Sequence, residues 1–223
     1  MQRFAAFLPR LFLLFAAASV SAASPPASLV IIGASYAADW QRPSLPGYSV
    51  VNRGVGGEET HQVRARFERD VIAAKPDAVL IWGHINNIHR APGGDMNAAK
   101  ERIKADVRDM VAMARARGIT VMLATEVTLS EAVGFGNRLA AFVGRIRGKT
   151  SYAAKINDQV RDVNAWLRGY AKQEGLRLLD FEKALDDGEG FRDTDYTRDD
   201  GSHISPEGYA ALTAYTRAQL ASR

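Results

Sequence analysis

Strand-like and helix-like periods alternate along most of this 223-residue chain, and that rhythm constrains the fold more than any other feature. Five short apolar runs read as strands: Leu29–Ile32, Ser49–Asn52, Ala78–Trp82, Ile119–Ala124 and Leu176–Asp180. They are mostly continuous rather than alternating in polarity, as strands covered on both faces of a parallel sheet are. Helical spacing fills the gaps. Val63, Phe67 and Val71 recur every four residues before Lys75-Pro76-Asp77 breaks the pattern. Ile103, Val107, Met110, Val111 and Ala114 form a second stripe that Gly118 is placed to end. Ile156, Val160, Val163, Leu167 and Tyr170 form a third, ending near Gly175. Ser205-Pro206 starts the last helix, with serine suited to the cap and proline to the first turn; Tyr209, Leu212 and Leu220 supply its buried face. Such alternation predicts an α/β fold, a three-layer α/β/α sandwich with right-handed crossovers.

The first 23 residues follow a different logic. Arg3 and Arg10 precede an apolar run, Leu11 to Val20, and the small residues Ser21, Ala22, Ala23 and Ser24 follow. That is the layout of a secretory signal, with cleavage expected after Ala22 or Ala23. A ten-residue run is too short for a hydrocarbon core, which takes about 20. The expected products are a signal peptide, 1–23, and one domain, 24–223, secreted or periplasmic, with no stable membrane insertion after cleavage. The net charge of +4 drops to +2 when the two arginines leave. No dense basic tract remains, which argues against nucleic acid as a partner. Cysteine is absent, excluding disulfides, thiolate metal sites, a cysteine nucleophile and a lipid-bearing thiol.

Ligands of open α/β sheets gather beyond the carboxyl ends of the strands. Strand one is followed by Gly33-Ala34-Ser35-Tyr36, and strand two by Asn52-Arg53-Gly54-Val55-Gly56-Gly57-Glu58-Glu59-Thr60. Strand three is followed by Gly83-His84-Ile85-Asn86-Asn87, and Asp200-Gly201-Ser202-His203 precedes the last helix. These parts suffice for acyl transfer. Ser35 is a nucleophile once a base takes its proton, and His203 is the candidate base. Asp200, three residues earlier, can fix the imidazole tautomer. The backbone N–H groups of Gly57 and Ser35 and the side-chain amide of Asn86 are candidate oxyanion donors.

At these residues the chain resembles the SGNH hydrolases, also called GDSL esterases and lipases. Gly33-Ala34-Ser35, Asn52-x-Gly54-x-x-Gly57-x-x-Thr60, Asn86-Asn87 and Asp200-x-x-His203 carry the resemblance, and the run from Asp200 to Tyr209 is its most specific piece. The resemblance implies a flavodoxin-like sandwich around a five-stranded parallel sheet. It implies a catalytic Ser35, Asp200 and His203, an oxyanion hole of Ser35, Gly57 and Asn86, and neither metal nor organic cofactor. The implied function is hydrolysis of carboxylic esters through an acyl-enzyme on Ser35. Short acyl or acetyl esters of small molecules, polysaccharides or lipids are the expected substrates, with lysophospholipids and thioesters also within the family. Three positions depart from the family pattern. Ala34 replaces an aspartate, His84 intrudes where the third block reads Gly-x-Asn, and Asn87 replaces another aspartate. Two alternatives keep the same fold: a catalytically impaired module that binds glycan or lipid, and an acyltransferase using the same triad.

Other signals resolve more plainly. Gly54, Gly56 and Gly57 would need a glycine at position 59 to make a dinucleotide loop, and Glu59 is there. The histidines lack zinc-site spacing. Asp186, Asp187, Glu189, Asp193 and Asp195 miss the calcium-loop pattern and read as a solvated loop. His84, Tyr36 and Trp40 lie close enough in sequence to the site to touch substrate. The stretch from Thr125 to Thr150, rich in glycine and arginine, reads either as a substrate loop or lid or as a short extra helix over Asn137 to Arg147.

Overall fold

The computed structural model describes residues 25–91, 94–131 and 150–222. Residues 1–23, read from the sequence as a signal, the helix considered over 137–147 and most of the stretch containing it lie outside the described residues.

Five parallel strands form one sheet: β1 (Ala27–Gly33), β2 (Tyr48–Gly54), β3 (Ala78–Trp82), β4 (Thr120–Ala124) and β5 (Arg177–Leu179), in the order β2-β1-β3-β4-β5. That order reverses between β1 and β3, the switch point at which doubly wound sheets open a crevice for ligands. The α/β fold expected from the sequence is the fold observed. Among the described residues three long helices carry the outer layers: α4 (Met96–Arg115), α5 (Tyr152–Glu174) and α7 (Pro206–Ala221). The short turns are α1 (Ser35–Asp39), α2 (Thr60–Ala65), α3 (Ile85–His89) and α6 (Phe181–Ala184).

The stripes explain the packing. Ile103, Val107, Met110, Val111 and Ala114 of α4 are all buried, as are Ile156, Val160, Val163 and Leu167 of α5. Each long helix begins on a side-chain cap. Asp95 accepts from Ala98 N at 2.9 Å, Ser151 from Ala154 N at 3.1 Å and Ser205 from Gly208 N at 3.2 Å. Gly175 ends α5 in the left-handed conformation (φ 63°), and Lys75, also left-handed, marks the break at Pro76.

Two elements differ from the sequence reading. β2 alternates between half-buried and exposed residues because it pairs only with β1 and forms a sheet edge. The period through Val63, Phe67 and Val71 is not one helix. α2 stops at Ala65, and a π-helical turn over Glu68–Ile72 follows, with Ala73 N donating to Glu68 O at 2.9 Å. The wider turn keeps Phe67, Val71 and Ile72 in the core while the Arg66 side chain points inward.

Residues 125–130, the start of the stretch read as a lid or an extra helix, are buried rather than looped out. Two α5 asparagines supply the hydrogen bonds that a neighbouring strand would give. Asn164 accepts from Glu126 N and donates to Glu126 O, both at 2.8 Å, and Asn157 does the same for Leu129 at 2.7 and 2.9 Å.

Candidate active site

The end of β1 is a place where only glycine fits. A Cβ on Gly33 would lie 1.6 Å from the Trp82 carbonyl oxygen of β3. The two strand ends stay close beyond that point, because a Cβ on Gly83 would stand 2.9 Å from Ala34 N. Ala34 is buried in this seam, and the chain then turns into α1 with Ser35 as its first residue, half-buried at the sheet edge. A small residue at position 34 therefore suits the local packing.

The β2 end is sewn to the same turn. Asn52 Nδ2 donates to Ala37 O at 2.6 Å and to Trp40 O at 2.9 Å, while its Oδ1 accepts from Gly54 N at 2.8 Å. The chain then passes Gly57 in the left-handed conformation (φ 79°). Beyond β3, Asn86 Nδ2 donates to Glu58 O at 2.9 Å, which brings the Asn86 amide beside Gly57. Asn87 closes the same junction: its Oδ1 accepts from Thr60 N at 3.0 Å and its Nδ2 donates to Thr60 Oγ1 at 3.1 Å. Neither the Ser35 nor the Gly57 N–H donates to another described residue. One of the two Asn86 Nδ2 hydrogens is used by Glu58, and the other is left to donate.

Asp200 and His203 form a compact pair. Asp200 Oδ2 lies 2.6 Å from His203 Nδ1, and its Oδ1 accepts from Ser202 N and His203 N, both at 2.8 Å. Burial works to raise the Asp200 carboxyl. The two backbone donors and the imidazole outweigh it and hold the group well below the usual carboxylate range. With a carboxylate at Nδ1, the imidazole proton belongs there and Nε2 is left as an acceptor.

Tyr36 joins this pair to the serine. Its hydroxyl donates to Ser202 O at 2.6 Å, and its ring meets the His203 ring edge-on at 6.3 Å between centroids. Tyr209 of α7 donates to Tyr36 O at 3.0 Å. Thus the residue after Ser35 holds the residue before His203. No hydrogen bond runs from the Ser35 hydroxyl to His203 itself; the two share the edge through Tyr36. Unliganded sites commonly hold such bonds long.

Three residues expected at substrate are placed otherwise. Tyr36 is buried as this staple, and burial pushes its hydroxyl up to about 12. Trp40 is 2% exposed, edge-on to Trp82 and Phe181, with its Nε1 donating to Thr213 Oγ1 at 2.9 Å. His84 is 3% exposed, so its ring lies inside the protein and does not block the edge. Burial depresses the His84 imidazole to about 3, leaving it neutral.

That burial carries a stability prediction. Between pH ~3 and ~6.5 the unfolded chain binds a proton at His84 that the folded chain refuses, so stability falls as pH is lowered through this window. Urea titrations should show wild type losing about 2–3 kcal/mol more than His84→Gln between pH 7 and pH 4. Equal losses in the two proteins would mean that His84 protonates freely in the fold.

The structure also assigns roles that the sequence reading missed. Arg66 is 7% exposed and braces three segments at once. Its Nη2 donates to Gly33 O at 3.0 Å, its Nη1 to Arg53 O at 2.6 Å and its Nε to Glu58 Oε2 at 2.6 Å. Glu126, wholly buried, accepts from the backbone N–H of His84 and, at 2.9 Å, of Ile85, and so fixes the start of the turn that carries Asn86. The inward spacing of Arg66 between Val63 and Phe67 was the one available hint; nothing near Glu126 in sequence marks it. No group of three or more metal-ligating side chains occurs among the described residues. The acidic loop is instead stitched by its own turns, with Asp187 Oδ1 accepting from Glu189 N at 2.8 Å and Phe191 N at 3.1 Å.

Comparison with known proteins gives the family and the fold. The model of the GDSL-like Lipase/Acylhydrolase family matches residues 27–211. An uncharacterized lipoprotein, YqeF, of Bacillus subtilis (strain 168) is 25% identical over 172 residues, 71% of this chain and 68% of that protein. The crystal structure of a GDSL-like lipase from Bacteroides thetaiotaomicron VPI-5482 superposes with a TM-score of 0.65 at 22% identity, covering 88% of this chain and 89% of the other. An acetylxylan esterase from Geobacillus stearothermophilus is 48% identical over 44 residues, 20% of each chain. A catalytic mutant of an acetylxylan esterase from that organism superposes with a TM-score of 0.60 at 18% identity, covering 89% and 96%.

Proposed function

The chain belongs to the GDSL-like lipase/acylhydrolase family, and from that premise we propose that it is a serine ester hydrolase acting on short acyl or acetyl esters outside the cytoplasm. The observation that carries the reading is the Asp200–His203 pair held by Tyr36 at the edge where Ser35 begins α1. Ser35 Oγ attacks the ester carbonyl while His203 Nε2 takes its proton. The tetrahedral oxyanion is received by the Ser35 and Gly57 N–H groups and by Asn86 Nδ2. His203 then gives the proton to the departing alcohol, and an acyl-Ser35 remains. Water, deprotonated by the same imidazole, releases the acid and restores the serine. Asp200 stabilises the imidazolium formed in each half.

Acetylated polysaccharide is the substrate class favoured by the likeness to an acetylxylan esterase, and the segment 1–23 supports export. No helix among the described residues is long and apolar enough to cross a membrane. The binding-module alternative drew on Ala34 and His84. Ala34 fits its seam and His84 is inside the core, so neither departure removes a group from the edge.

The test is labelling of the protein by a fluorophosphonate probe together with turnover of p-nitrophenyl acetate. Wild type should show both signals, and Ser35→Ala neither. A folded wild type silent in both would overturn the hydrolase in favour of a binding module. A rate that climbs from acetyl to palmitoyl esters would overturn the short-acyl preference. Addition of an acceptor alcohol separates hydrolysis from acyl transfer by the product formed.

A further inference from the structure

Glycine is the weakest helix former after proline, and α5 holds one that no contact requires. Gly169 lies inside this 23-residue helix. A Cβ there would meet nothing within 4 Å beyond its own helix, and its backbone is outside the left-handed region. The missing side chain leaves open a cavity of about 520 Å³, a size that suits a small ligand. Arg108 of α4 lines it together with Trp166, Gly169, Tyr170, Gln173 and Glu174 of α5. None of these residues belongs to the edge that holds Ser35.

The α5 positions 166, 169, 170 and 173 stand at helical spacing and share one face. The Trp166 and Tyr170 rings stack, with centres 5.0 Å apart and planes 9° from parallel. The Arg108 guanidinium carbon lies 5.1 Å from the centre of the Trp166 ring. A polar rim surrounds these rings. Among the described residues the Arg108 guanidinium, the Tyr170 hydroxyl and the Gln173 amide make no hydrogen bond or ion pair. Glu174 gives Oε2 to Arg115 Nη1 and keeps Oε1 as an acceptor.

The rim decides the kind of ligand. It offers donors at Arg108, an acceptor at Glu174, and both at Tyr170 and Gln173. An anion would meet the Glu174 carboxylate, and a fatty chain would leave every rim group without a partner. A sugar ring matches both parts of the cavity. Its C–H faces lie on aromatic rings, and each of its hydroxyls both donates and accepts.

We propose that this cavity is a second, non-catalytic binding site that holds one neutral sugar unit of a glycan chain. The proposal goes beyond the hydrolase reading, because binding here needs no turnover. Position keeps the two sites apart. The hydroxyl of Tyr152, the first residue of α5, lies 2.7 Å from Nδ1 of His89, which ends the turn carrying Asn86. Trp166 and Tyr170 stand about 21 and 27 Å farther along the helix. One sugar ring does not bridge that distance, whereas a chain of several units does.

Tryptophan fluorescence reads the binding, since Trp40 and Trp82 are buried and Trp166 is the partly exposed one of the chain's three. The full chain is titrated with xylohexaose, cellohexaose and chitohexaose, and with decanoate and succinate as ligands of other classes. At least one oligosaccharide should shift the emission with a Kd of about 1 mM or below. Gly169→Gln puts a side chain into the cavity and a good helix former into the helix. It should raise the Tm by about 1–3 °C and weaken binding by about tenfold or more. A firmer helix that no longer binds is not explained by damage to the fold. No response to any of the three oligosaccharides at about 10 mM overturns the proposal, whether or not decanoate or succinate gives one. So does a Kd that Gly169→Gln leaves unchanged. If that variant does not fold, Arg108→Ala on the other helix decides: it should weaken binding by about threefold or more, and equal binding overturns the site.

Discussion

His203→Gln is expected to lower kcat for p-nitrophenyl acetate by about 10⁴–10⁶ while leaving the melting temperature within a degree or two of wild type. Both halves of that result follow from where the side chain sits. In the proposed mechanism the imidazole is the base that makes the Ser35 hydroxyl nucleophilic, and a glutamine amide cannot take its proton. The His203 side chain is 39% exposed and that of Asp200 48% exposed, so little packing is lost with either. Asp200→Asn should cost about 10⁴, because an amide that donates to Nδ1 stabilises the wrong tautomer. Combining either change with Ser35→Ala should add almost nothing, since a nucleophile and its base act as one unit. Purified variants assayed over a range of substrate concentrations decide the matter. A His203→Gln enzyme within tenfold of wild type would remove His203 from the proposed mechanism.

The elements that were legible in the sequence are those whose signal is local. Continuous apolar runs mark β1, β3 and β4 because these strands are covered on both faces, and every cap at Ser205, Gly118 and Gly175 works through its own neighbours. Candidate site residues could be placed at the sheet edge for the same reason: each follows a strand end or precedes the last helix. Side-chain orientation was not legible. Tyr36 and Trp40 stand beside Ser35 in the chain, yet their partners come from far away: Ser202 for Tyr36, and Phe181 and Thr213 for Trp40. Proximity to a nucleophile suggested a pocket wall, whereas the distant partners make a core and a staple. Buried charge was the least legible feature. Arg66 is tolerated inside because two backbone carbonyls and the carboxylates of Glu58 and Asp70 surround it, and Glu126 because it accepts the His84 and Ile85 N–H groups; no local pattern announces either.

The effect of removing one such charge is correspondingly large. Arg66→Met is expected to destabilise the fold by about 3–5 kcal/mol, the cost of breaking a buried ion pair and stranding its partners. Methionine fills much of the volume but makes none of the bonds. Two carbonyls, Gly33 O and Arg53 O, lose their guanidinium donor, and Glu58 loses its 2.6 Å partner. Asp70 keeps Arg69 but loses the 2.8 Å bond to Arg66 Nη1. Arg69 first, and Arg66 with it, hold the Asp70 carboxyl down at about 2 against its burial. A carboxyl lowered on folding adds stability that is complete above its unfolded value near 4 and is lost as pH falls toward 2. Arg66→Met should therefore shrink that acid-sensitive part as well as lower the plateau. The control is Arg69→Met. Arg69 binds the same carboxylate but is 74% exposed, where solvent screens the pair, and its loss should cost far less than that of Arg66. Urea unfolding of both variants at pH 7 gives the comparison, with midpoints converted through a common slope. Activity should fall further in the Arg66 variant than its folded fraction explains, because Arg66 bonds to Gly33 O and Glu58, which flank the turn of the proposed nucleophile and the proposed oxyanion glycine. Equal midpoints for the two variants would place the brace elsewhere and leave the interior guanidinium without a structural role.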